Sequence, residues 1–103
     1  MDARKKIEEK RKILNVVDKA IDKTFNEHNP QIREEGRREL EELRGRDNVV
    51  SFFIGYAYEI EYYHTRDIAY AQKAINEYRH ILSDGYAFLN KTIEELEAKV
   101  NSN

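Results

Sequence analysis

Apolar positions recur every three or four residues along almost the whole chain, the period of helices that bury one stripe. One stretch departs from this, Val49-Val50-Ser51-Phe52-Phe53-Ile54-Gly55-Tyr56-Ala57-Tyr58-Glu59-Ile60-Glu61-Tyr62-Tyr63. At about 100° per residue its apolar and aromatic side chains cover roughly 200°, twice the width of an ordinary surface stripe. Ser51 and Gly55, one turn apart and small, leave room for another backbone to approach closely. A strand over 49–54 is compatible with its β-branched and aromatic residues, but no second strand candidate exists to pair with it. The stretch therefore reads as a helix that needs cover on two sides. That cover is either the rest of its own bundle or a second chain.

The other elements follow from their stripes and stop signals. A first helix over 2–28, with Asp2 as N-cap, buries Ala3, Ile7, Leu14, Val17, Ile21, Phe25 and His28, with Ile13, Ala20 and Thr24 widening the stripe. Asn29-Pro30 ends it, because the residue before proline is pushed out of the α region while Pro30 suits the first turn of a new helix. A short second helix over 31–44 carries only Ile32, Gly36, Leu40 and Leu43 inward, amid Arg and Glu at i,i+4 spacing such as Glu34 with Arg38 and Arg33 with Arg37. Gly45 is its C′ residue, and Asp47 or Asn48 caps the next helix, 48–64.

A break follows at Thr65-Arg66-Asp67, because Asp67 would otherwise fall in the stripe; Thr65 or Asp67 is the expected cap. The stripes on either side stay nearly in phase, so three helices replace four if that break is absent. The last helix is expected to run unbroken over 67–100, with Ile68, Ala71, Ile75, Tyr78, Leu82, Leu89, Ile93, Leu96 and Val100 in phase. The apparent stop at Ser83-Asp84-Gly85 does not shift that phase, and Gly85 joins Ala74 and Thr92 in a row of small residues. Such a helix is about 50 Å long. Asn101-Ser102-Asn103 reads as a frayed tail. The fold class is all-α: one domain over 1–103, an elongated antiparallel helical bundle.

Composition narrows the function more by exclusion than by evidence. There is no cysteine, hence no disulfide, thiolate nucleophile or cysteine metal site. The charged start lacks the apolar run of a secretory signal, and the greasy run is too short and too interrupted by Glu59 and Glu61 to span a bilayer. The expectation is a soluble, cytoplasmic protein without membrane contact. Charged residues make up 37% of the chain with a net charge of −2, a balance that suits a thermophilic or an engineered chain equally. No phosphate-cradling glycine loop and no nucleophile–histidine–acid motif occurs, so no enzyme chemistry or cofactor is expected.

Candidate chemistry is confined to a few clusters. Glu61-x-x-His64 and Glu77-x-x-His80 resemble the Glu-x-x-His pairs of ferritin-like di-iron bundles, a resemblance covering eight residues. That resemblance implies metal ligation by Glu61 and His64, which sit at the edge of the greasy arc. Glu77 and His80 lie opposite their stripe and are expected to face water, as surface side chains do. His28, mid-stripe, is expected to be a packed core histidine. Arg4-Lys5-Lys6 and Lys10-Arg11-Lys12 make the start basic, a feature that can meet nucleic acid. With an acidic whole and Glu8-Glu9 between, a solvated face is the stronger reading.

Seven tyrosines, with Tyr58, Tyr62 and Tyr70 at stripe margins, suggest an aromatic patch shared with Phe52, Ile54 and Phe88. The reading is a protein-interaction or assembly module, a homodimer or a partner of another helical protein. Phe52, Phe53, Tyr56, Tyr62 and Tyr63 are the expected contact residues. The rival readings are a metal-binding bundle, an engineered bundle with no natural partner, and a nucleic-acid-associated protein.

Overall fold

The computed structural model describes residues 3–102. Among them are five α-helices and no strand: α1 (Ala3–Thr24), α2 (Pro30–Glu42), α3 (Asn48–Thr65), α4 (Ile68–Arg79) and α5 (Leu89–Asn101), with a 3-10 turn at Leu82–Asp84. Asp2, the expected first cap, and Asn103 lie outside the described residues. The tail is shorter than expected, since α5 continues through Asn101 and Ser102 caps it.

Local chemistry sets most of these ends. Asn29 caps α2 by accepting hydrogen bonds from the Gln31 and Ile32 amides, with Pro30 in the first turn. Asp47 caps α3 through the Val49 amide. The weakly signalled break after α3 is real: Arg66 takes a left-handed conformation (φ 61°), its amide bonds back to the Tyr62 carbonyl, and Asp67 caps α4 through the Ala69 amide. The Arg66 guanidinium lies 5.4 Å from the Tyr63 ring centroid, a cation–π contact that helps hold a backbone non-glycine residues seldom adopt.

Two expected helices are shorter. α1 stops at Thr24, where Asn26 Oδ1 accepts from the His28 and Asn29 amides and turns the chain. His28 is consequently exposed rather than packed in the core. The long final helix does not form. α4 ends at Arg79, Gly85 turns left-handed at φ 96°, and α5 starts at Leu89. Continuity of phase across 80–88 was misleading, because a broken helix satisfies the same stripe by folding back. Leu89, Ile93 and Leu96 of α5 then pack on Ala71, Ala74, Ile75 and Tyr78 of α4, which one straight helix cannot arrange. Gly85 meets nothing within 4 Å of a built Cβ, so it serves the turn and not a small-residue contact.

α3 is the middle of the molecule. Its Val50, Ile54 and Ala57 close one core with Val17 and Ala20 of α1 and Leu40 of α2. Its Tyr62 joins the other core, with α4 and α5, and Tyr58 packs against both. The cover on two sides that its greasy circumference demands comes from the α1–α2 pair and the α4–α5 pair. The helices form a slab of 51 × 33 × 16 Å with a radius of gyration of 14.4 Å. About 13 Å is usual for this length, so the bundle is elongated.

Two glycines permit the closest approaches. A Cβ at Gly36 would stand 2.5 Å from the Ala20 carbonyl oxygen and 2.9 Å from Lys23 Cβ, so α1 and α2 touch backbone to backbone. Gly36→Ala is expected to destabilise by about 1–3 kcal/mol through overpacking. The gain of up to about 1 kcal/mol that alanine brings to a helix is the smaller term. Urea denaturation followed by circular dichroism checks it, and an unchanged or raised midpoint would contradict the contact. The second approach is at Gly55, where the Tyr78 ring lies 2.5 Å from a built Cβ. The close neighbour on α3 is thus an aromatic ring, not another backbone.

Candidate interaction surface

The slab is thin, so α3 is covered along its flanks but not all round. On one broad side its residues Phe52, Tyr56, Glu59 and Tyr63 follow each other at spacings of three and four, with Ile60 next to Glu59. Phe52 and Tyr56 stack at 6.3 Å between centroids. Phe25, in the turn after α1, meets the Tyr56 ring edge-on at 6.1 Å. From the far side, Tyr86 and Phe88 reach Phe52 at 5.7 and 6.2 Å. Five rings thus form one connected row from the end of α1, across α3, to the α4–α5 connection. Phe52 and Tyr56 are half-buried, while Phe25 (47%), Tyr63 (44%) and Phe88 (65%) are largely open to water.

At one end of the row lies an open groove of about 430 Å³ lined by Phe25, Tyr56, Glu59, Ile60, Tyr63 and His64. Glu59 accepts a hydrogen bond from the Tyr78 hydroxyl at 2.7 Å. Burial pushes its carboxyl above the usual range, Tyr78 opposes that, and neighbouring Glu95 adds to the rise. Lys99 of α5 stands 5.9 Å from the Tyr63 centroid, which places the end of α5 along the groove's flank.

Of the expected contact residues, the structure brings Phe52, Tyr56 and Tyr63 to this surface. Phe53 is half-buried, edge-on to Phe52 at 5.2 Å and packed against the α1–α2 core. Tyr62 is buried within the α4–α5 core, so it is not a contact residue. Ile54, expected in the patch, is also fully buried. Sequence reasoning placed Phe25 in the core; the early stop of α1 turns it outward. Ile7, Leu14 and Ile68, all assigned to buried stripes, are exposed as well.

The charged residues of α3 have a different role from the one their spacing suggests. Glu61 is 3% exposed, and its carboxylate takes Arg33 Nε at 2.8 Å, the second Arg33 nitrogen at 3.3 Å and Arg37 at 2.7 Å. Arg33 also donates to the Asn26 carbonyl at 3.0 Å. Burial alone would raise the Glu61 pKa, but the two guanidinium groups outweigh it and hold the carboxyl below its ordinary value. The carboxylate is therefore engaged by arginines rather than poised with His64, which is exposed. Among the described residues no group of three or more His, Cys, Asp or Glu could hold a metal ion. Glu77 does not face water either: its side chain is mostly buried and pairs with Arg44. His80 is exposed.

The arginine pair was missed although a signal existed. Arg33 and Arg37 are like charges one turn apart, flanking the Gly36–Leu40 stripe, and an inward like-charged pair calls for an anion. The opposite broad side of the slab is polar. There Tyr58 and Tyr70 stack at 6.3 Å, with Lys73 within 5.7 Å of both rings and Arg37 over Tyr70 at 5.3 Å. Tyr58 donates to Glu41. The rings of that side are thus covered by the chain's own cations.

No described helix is long and apolar enough to cross a membrane. No protein-family model, curated protein or solved structure matches the chain.

Proposed function

We propose that this chain is a non-enzymatic interaction and assembly module that pairs with a second copy of itself through the aromatic side of α3. The observation that carries this reading is the connected row Phe25–Tyr56–Phe52–Phe88 with Tyr63 beyond it, all partly or largely open to water. Contiguous aromatic surface of this kind is costly to leave hydrated and typically marks a partner site. Phe52 is packed against the α4–α5 core and anchors Tyr56 and Phe88 through ring contacts, so part of the row is already ordered before docking. The opposite side, already occupied by Lys73, Arg37 and Glu41, offers no comparable surface.

Light scattering at several concentrations tests the reading. The protein is expected to be a dimer, and Phe88→Asp is expected to yield monomer with unchanged helicity, because Phe88 has little to lose inside its own fold. Tyr62 would be a poor probe, because it is buried in the α4–α5 core and an Asp there would disrupt the fold itself. A wild-type chain that stays monomeric at every concentration overturns the proposal.

A further inference from the structure

Two carboxylates of α3 meet burial in opposite ways. Glu61, turned toward α2, is compensated by the guanidinium groups of Arg33 and Arg37. Glu59 has no such compensation. It lies one turn after Tyr56 and one turn before Tyr63, half-buried among the rings of the aromatic side, and lines the groove with Phe25, Ile60 and His64. Its carboxylate accepts a hydrogen bond from the Tyr78 hydroxyl at 2.7 Å. The charge that acts on it is another carboxylate, that of exposed Glu95 on α5. Arg66 and Lys99, the cations at this end, stand against the Tyr63 ring, 5.4 and 5.9 Å from its centroid.

Seating a second copy on this side takes away the water that Glu59 still has. A carboxylate desolvated without a cation is costly to keep charged, and it takes up a proton instead. Resting on the dimer reading above, we propose that Glu59 makes the association proton-dependent: two copies join with both Glu59 carboxyls neutral, and ionisation of Glu59 opposes the contact. The single chain already leans this way, because burial and Glu95 raise the Glu59 pKa against the opposing pull of the Tyr78 hydroxyl. Further burial in the dimer raises it again. Affinity is therefore greatest below the pKa of the single chain and is lost as pH rises through the pKa of the dimer. The phenols of Tyr63 and Tyr78, which face Glu59, are pushed up by burial and stay neutral over this range. An imidazolium at His64, exposed on the groove's rim, would also tighten the dimer at low pH by pairing with Glu59, so His64 is removed separately.

Sedimentation equilibrium between about pH 5 and about pH 7.5 tests this, above the range in which Glu61 loses its charge. The dissociation constant is expected to rise at least about tenfold across that interval, since each copy contributes one carboxyl. Glu59→Gln keeps an oxygen for the Tyr78 hydroxyl. It is expected to hold, at the upper end, the tight association that the wild type shows at the lower end. His64→Gln is expected to keep the wild-type slope. Dilution calorimetry in buffers of different ionisation enthalpy needs no variant, and is expected to show protons taken up on association. An affinity flat with pH, or association without proton uptake, overturns the role of Glu59 and leaves the aromatic-face reading standing. So does a slope that survives in Glu59→Gln or vanishes in His64→Gln, or a Glu59→Gln dimer weaker than the wild type. A wild-type chain monomeric at every pH and concentration overturns both.

Discussion

Glu61→Leu is expected to lower stability by about 3–5 kcal/mol, enough to unfold many domains of this size. The loss does not measure the strength of an ion pair. Glu61 is 3% exposed and its carboxylate faces the guanidinium groups of Arg33 and Arg37 at 2.7–3.3 Å. Removing it leaves two cations facing an apolar side chain, with the water they lost on folding not returned. The triple change Arg33→Met, Arg37→Leu and Glu61→Leu removes the charges together and is expected to recover most of the loss. Guanidinium denaturation of wild type, Glu61→Leu and the triple variant at one concentration tests this, and a cost below about 1 kcal/mol for Glu61→Leu alone would sink it.

The pH dependence has a definite sign. The folded-state pKa of Glu61 lies below its unfolded value, so its contribution is complete above the unfolded pKa. It is lost as pH falls through the folded value. The wild-type denaturation midpoint is therefore expected to drop below about pH 4.5, and the triple variant to drop less.

Tyr78→Ala is expected to cost about 3–5 kcal/mol, the usual loss for a large core aromatic. Tyr78 is 1% exposed, lies across Gly55, and reaches along α3 to donate to Glu59. It is thus the main link between α4 and the central helix. Tyr78→Phe isolates the hydroxyl and is expected to cost only about 1 kcal/mol. Gly55→Leu places a side chain where the ring sits and is expected to prevent folding in the wild-type chain. Combined with Tyr78→Ala, it fills the space the ring vacates. The pair should therefore couple by more than about 1 kcal/mol in a double-mutant cycle, whereas additive losses would contradict the contact.

Both predictions concern residues whose importance was unevenly legible. Gly55 was recognisable from its small size beside Ser51, but not which element would come close to it. Glu61 stood out as a charge at the edge of a greasy arc, and spacing alone joined it to His64. The actual partners, 28 and 24 residues earlier, sit on another helix. Periodicity within one helix reports its own faces and is silent on what lies opposite them.

What the amino-acid sequence determined by itself is local: helices from the three-to-four period, the start of α2 at Pro30 and of α3 after Asp47, and a central segment needing cover on two sides. These depend on backbone sterics, capping and the width of an apolar stripe, all properties of neighbouring residues. Only the tertiary structure decided that the phase running from 68 to 100 belongs to two helices folded on each other. It alone settled that Tyr62 and Ile54 go inside while Phe25 stays out, and that Glu61 belongs to two arginines. Burial and pairing are set by which surfaces compete for the same space, and that competition has no signature in the spacing of any single segment.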